Sequence, residues 1–135
     1  KNLIEHLVLR RGEDVVMDME AGVEHFGRGT AQSCDSVLVV VEPSRKSVES
    51  AKRIVKLAKD LGIKNIFAIA NKVRTVNDKK FIEESLAPDL DVIEVIPFSQ
   101  AILETDRSGK IVNVGQDILD KVKAIDIFLS ERIGG

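Results

Sequence analysis

Asp18 closes a short apolar run, Val15 to Met17, and is followed by Glu20, Ala21 and Gly22. A carboxylate at the end of a buried strand can hold magnesium, directly or through water, beside the phosphates of a nucleotide. Gly22, lacking a side chain, would let the backbone approach the terminal phosphate. The same residues also suit a plain turn, with Asp18 as its cap and Gly22 supplying a positive φ. Three further apolar runs end on residues of similar promise: Glu42, Pro43 and Ser44; Asn71 and Lys72; Pro97, Phe98 and Ser99.

These residues need a frame that gathers them. The runs Val15 to Met17, Val37 to Val41, Ile66 to Ala70 and Val92 to Ile96 are near-continuously apolar, as strands covered on both faces must be. Between the second and third, Ser47 to Leu61 places Val48, Ala51, Ile54, Val55, Ala58 and Leu61 at helical spacing, with Gly62 as a stop. Asn77 or Asp78 suits the cap of a shorter helix through Leu86, with Phe81 and Ile82 inward and Pro88 ending it. A last helix, Asp117 to about Arg132, sets Ile118, Leu119, Val122, Ile125, Phe128 and Leu129 on one side. Strands alternating with helices predict an α/β fold on a mostly parallel sheet. Ligands in such sheets collect beyond the carboxyl ends of the strands, where the residues named above lie.

The chain has 135 residues, enough for one domain. Apolar residues make up 44% and charged residues 31%, with Lys+Arg 20 against Asp+Glu 22, a globular balance that offers no basic field for nucleic acid. No apolar run exceeds the five residues of Val37 to Val41, far below the roughly 20 residues of a membrane helix. No secretory signal is visible, which makes the cytoplasm the expected location. A lone Cys34 has no internal disulfide partner, and with His6 and His25 it shows no metal-ligand spacing; it reads as buried and inert. The chain opens on Lys1 and passes through an amphipathic stretch, Leu3, Ile4, Leu7 and Val8, straight into a strand, the pattern of a piece cut from a longer protein.

The string Asp18-Met19-Glu20-Ala21-Gly22-Val23-Glu24-His25-Phe26-Gly27-Arg28-Gly29-Thr30 is similar, almost letter for letter, to the switch-II region of CooC-type proteins, the carbon monoxide dehydrogenase maturation ATPases of the MinD/NifH/ParA group. Val41-Glu42-Pro43-Ser44, Asn71-Lys72 and Ile96-Pro97-Phe98 carry the resemblance over essentially the whole chain. It implies a three-layer P-loop NTPase-like, Rossmann-like fold, of which residues 1–135 form the C-terminal half, a single partial domain from switch II to the last helix. It further implies that Asn71, Pro97 and Phe98 surround the adenine of ATP or ADP, that Glu20 and Lys72 also belong to the nucleotide-binding set, and that Asp18 positions magnesium through water. The Asn71 amide can both donate to and accept from an adenine edge; an exposed turn at Asn71-Lys72 is the competing reading.

The phosphate-binding loop of this group, a GKGGxGKT-like string, has no match in the chain. A superficial substitute, Gly22-x4-Gly27 followed by Arg28, Gly29 and Thr30, has one glycine too many and arginine where lysine is required. The Cys-x-Cys pair of CooC-type proteins, which resembles a nickel or zinc site shared across a dimer, is also missing. Glu20 and Glu24 sit four apart, as a solvated helical face would place them, and His25 suits the surface as well as a nucleotide sensor. Arg45, Lys46, Lys52, Arg53, Lys56 and Lys59 read as the wet side of an amphipathic helix.

The expectation is therefore an ATP-dependent switch in which Asp18 and Gly22 respond to hydrolysis. The intact protein would form an ATP-dependent homodimer serving nickel insertion into carbon monoxide dehydrogenase, without nucleic acid or membrane as partner, and this segment alone would be inactive. Two rivals remain in view. One is a ParA/MinD-like positioning ATPase, which the mixed charge of the last helix, Asp117, Asp120, Asp126 and Glu131 against Lys121, Lys123 and Arg132, does not favour. The other is a receiver-like α/β binding module, which needs an aspartate at the end of a central strand, where Glu42 and Asn71 stand instead.

Overall fold

The computed structural model describes residues 14–19, 29, 33–110 and 114–133. Its elements are β1 (Val37–Val41), α1 (Arg45–Asp60), β2 (Ile66–Val73), α2 (Val76–Leu86), β3 (Val92–Pro97), α3 (Gln100–Ser108) and α4 (Gln116–Ile133). The three strands form one parallel sheet in the order β1-β2-β3. Helices cover both faces, which is the α/β architecture expected from the apolar runs.

The register explains which side chains go where. Val39 pairs with Ala68 and Val41 with Ala70, so these four residues share one face. They are buried with Val48, Ala51 and Val55 of α1 and Ile82 and Leu86 of α2 in a single cluster that Leu90 completes. The small alanines of β2 let the two helices approach the middle strand closely. Ile82 and Val41 are fully buried, and each burial of this size contributes about 1.5–3 kcal/mol relative to exposure. On the opposite face lie Phe67, Ile69 and Glu94, Ile69 being paired with Glu94. There α4 docks: the Phe128 ring meets Phe67 edge to face at 5.0 Å, and Lys121 Nζ lies 3.3 Å from Glu94 Oε1.

The caps depart from expectation by small, explicable steps. Helix α1 starts at Arg45 because Ser44, not Ser47, is its N-cap, accepting a hydrogen bond from the Ser47 N–H. It stops as anticipated, with Gly62 at φ +86 just past the end. Helix α2 is capped by Thr75, and Asp78 is the third residue of a capping box and not the cap itself. Phe81 does not turn inward; it is 41% exposed while its neighbour Ile82 takes the core position. In α4, Leu119 and Val122 are exposed too, because the helix presents Ile118, Ile125, Phe128 and Leu129 inward.

Two elements differ in kind. Helix α3 was not anticipated: it is short and buries no residue, so no core position marks it. Conversely, residues 14–19 form no strand, and Val15, Val16 and Met17 are exposed. An extended segment becomes a strand only through hydrogen bonds to a neighbour, and no strand among the described residues pairs with this one. Leu3 to Val8, Glu20, Gly22, Glu24, His25 and Arg28 lie outside the described residues.

Candidate functional site

The carboxyl ends of the three strands converge on a shallow cleft of about 280 Å³ lined by Glu42, Pro43, Ser44, Lys72, Arg74 and Phe98. Each wall is fixed by local backbone chemistry. After β1, the Glu42 N–H donates to Ser47 Oγ at 2.8 Å and the Ser44 N–H to the Glu42 carbonyl at 2.8 Å, so the Glu42-Pro43-Ser44 turn is tied to the first turn of α1.

The end of β2 carries an irregularity that places Lys72. Ala70 pairs with Val95 and Val73 with Pro97, so Asn71 and Lys72 together oppose the single residue Ile96. An extra residue of this kind is a bulge, which re-aims a side chain. Lys72 absorbs it in the left-handed region at φ 57, a conformation that costs a non-glycine residue roughly 1–2 kcal/mol. The Asn71-Lys72 pair is thus part of the strand and not a turn after it. The Lys72 ammonium meets the Glu42 carboxylate at 2.7 Å. That hydrogen bond and the opposite charge hold the Lys72 pKa above the ordinary lysine value, and Asp106 pulls weakly in the same direction against a slight desolvation.

Arg74 and Phe98 form the third wall. Asp78 Oδ2 accepts from the Arg74 N–H at 2.9 Å and the Thr75 N–H at 3.2 Å, while the Phe98 N–H donates to the Val73 carbonyl at 3.0 Å. With both backbones held, the Arg74 guanidinium lies over the Phe98 ring at 4.0 Å from its centroid.

Of the residues singled out from the sequence, Glu42, Pro43, Ser44, Lys72 and Phe98 line the cleft. Asn71 is half-buried within β2, and Pro97 is the exposed last residue of β3; neither lines it. Asp18 is exposed in the irregular stretch 14–19. Arg74 was missed, and its signal was available: it is the next cation after Lys72 at the same strand end. Cys34 is only half-buried, and its thiol pKa is raised by burial and, secondarily, by the charge of Asp35.

No family model matches the chain. It is 40% identical over 127 residues to an uncharacterised ATP-binding protein of Methanocaldococcus jannaschii, covering 93% of this chain and 49% of that protein. It is 41% identical over 135 residues to the carbon monoxide dehydrogenase accessory protein CooC of Rhodospirillum rubrum, covering 99% of this chain and 51% of that protein. The chain is a homologue of the CooC- and MinD-type ATP-binding proteins. A more distant relative is the septum site-determining protein MinD of Thermotoga maritima, 29% identical over 118 residues, covering 81% of this chain and 41% of that protein. The sheet with helices on both faces accords with the P-loop NTPase fold of the MinD and CooC homologues. The chain spans about half the length of the CooC- and ATP-binding relatives it matches.

Among the described residues no group of three or more His, Cys, Asp or Glu side chains is arranged to hold a metal. The lone Asp18 carboxylate fits magnesium only in the way that ion is held beside nucleotides, by one or two carboxylates with water and phosphate completing the shell.

Proposed function

We propose that residues 1–135 act as the C-terminal half of an ATP-binding and hydrolysing switch, and that the cleft at the strand ends receives the base side of the nucleotide. The observation that carries this reading is the convergence of Glu42, Lys72, Arg74 and Phe98 from three strand ends on one cleft, in a chain whose relatives are named for ATP binding. Phe98 offers a flat apolar surface, and Asn71 and Pro97 border it in sequence; Lys72 and Glu42 offer one donor group and one acceptor group at the rim. Asp18 would position magnesium through water, with Glu20 and Gly22 following the terminal phosphate. Magnesium, when bound, supplies charge neutralisation at the phosphates. Hydrolysis further requires a phosphate-gripping loop that this segment does not contain, so the segment alone is inactive in this scheme.

A cellular role is suggested by the relative named as a carbon monoxide dehydrogenase accessory protein. We read the intact protein as a cytoplasmic, ATP-dependent homodimer that delivers nickel to that enzyme. The positioning role of MinD-type proteins has less support. Helix α4 packs on the sheet through Phe128, Lys121 is paired with Glu94, and Asp117, Asp120, Asp126 and Glu131 offset its remaining cations Lys123 and Arg132, which is not the charge pattern of a basic membrane-binding face. No described helix is long and apolar enough to cross a membrane.

Calorimetric titration of the full-length protein with ATP and magnesium tests the reading. Saturable binding that weakens in the K72A and F98L variants is expected. Absence of ATP binding by the wild-type protein overturns it.

A further inference from the structure

We propose that Arg74 is the surface on which the nucleotide base stacks, so that the bound state is a three-layer stack of base, guanidinium and Phe98 ring. The inference rests on the nucleotide reading above and adds to it the residue that grips the base. Among the described residues Phe98 is the only aromatic side chain lining the cleft, yet one of its faces is already covered by the Arg74 guanidinium at 4.0 Å. A flat ring entering from the Arg74 side therefore meets the guanidinium before it meets the phenyl ring. Guanidinium planes stack on nucleic-acid bases as aromatic rings do.

Two further observations show that this surface is prepared and unspent. The Arg74 side chain makes no ion pair and no hydrogen bond among the described residues, so the donors on its guanidinium remain for a ligand. Asp78 is near but accepts from the backbone N–H groups of Arg74 and Thr75, fixing where the side chain starts without neutralising it at its tip. On the other side, Phe98 is anchored to β2 through Val73. A platform whose backbone is held before binding loses less conformational freedom when the ligand arrives. Stacking is tolerant of base identity because every base has a flat face. Arg74 thus sets the strength of base binding, and the choice between bases falls to the polar groups at the rim.

The test uses the full-length protein with ATP, GTP and inorganic tripolyphosphate as separate probes. Arg74 is exposed, so its replacement leaves the core intact. R74A weakens ATP and GTP alike by about tenfold, the order expected for losing one stacking partner, and leaves tripolyphosphate unchanged. R74K keeps the charge but not the plane and behaves as R74A does, whereas R74Y, which restores a flat ring, recovers most of the affinity. Wild-type affinity for ATP in both R74A and R74K overturns the stack while leaving the nucleotide reading standing. Equal loss of tripolyphosphate binding in R74A, or full rescue by R74K, overturns it in favour of a charge contact to phosphate. A wild-type protein that binds none of the three probes removes both readings together.

Discussion

Lys72 reaches from β2 to Glu42 at the end of β1, a 2.7 Å contact that joins the carboxyl ends of two adjacent parallel strands at the rim of the cleft. Both side chains are about half exposed, so the pair adds little to stability; exposed pairs measure about 0.2–1 kcal/mol. Its effect is on where charge sits. The carboxylate holds the ammonium at the mouth of the cleft.

The titration of Lys72 gives that statement a sign. A lysine whose pKa is raised on folding binds its proton more tightly in the native state. Its contribution is complete below the ordinary lysine pKa of about 10.4 and is lost as pH rises through the elevated value. Urea midpoints measured from pH 8 to 11 should fall at the alkaline end for the wild-type protein. Glu42→Gln should flatten that limb, since it removes the largest cause of the shift. An unchanged alkaline limb in the variant would exclude the pair as its source.

The capping box of α2 predicts a different dependence. Asp78 receives two backbone N–H groups and Thr75 Oγ1 one, so Asp78→Ala and Thr75→Ala should each cost about 1 kcal/mol. The two losses should sum to more than the double variant shows, because each removes part of one reciprocal arrangement. Strict additivity in denaturant titrations would show that the two bonds act independently. Asp78→Ala should also loosen Arg74, which it anchors.

The core offers a paired test on adjacent residues. Ile82→Ala should destabilise by about 2–5 kcal/mol, because Ile82 is fully buried between the helices and the sheet. Phe81→Ala should cost less than about 1 kcal/mol, as that ring is 41% exposed. A reversal of this order in chemical denaturation would place the wrong side of α2 against the sheet.

Cys34 should react slowly. Burial first, and then the negative charge of Asp35, raise its thiol pKa, so the thiolate that attacks an alkylating reagent is scarce at neutral pH. Iodoacetamide labelling followed by intact mass should be slow at pH 7.5 and accelerate at pH values above that of an ordinary thiol. Asp35→Asn should speed it modestly. Rapid labelling at pH 7 would contradict the environment described.

What could be read from the sequence was what periodicity encodes. Val48, Ala51, Val55 and Ala58 announced the buried side of α1, and the apolar runs announced three of the strands, because burial on both faces leaves no room for polar residues. Residues that depend on a distant partner were harder. Val15 to Met17 has the composition of a strand, but composition does not supply the neighbour that makes one. Arg74 matters through Phe98, which lies far along the chain, just past the end of β3. The bulge at Asn71 and Lys72 is a property of how β2 meets β3, and no residue type in NKV marks it. Helix α3 left only its ends to be read, Ser99 accepting from the Ile102 N–H and Gly109 in the left-handed C-cap.

The left-handed lysine has a consequence for how this position tolerates change. Lys72→Gly would relax the backbone at φ 57, and Lys72→Asn would suit that region better than lysine does, yet either would strip the cleft of its ammonium and release Glu42. Heat selection and ligand selection therefore pull opposite ways at one codon. A library of variants sorted only for thermal endurance should drift toward glycine or asparagine at position 72, and one sorted for capture of an anionic ligand should return lysine.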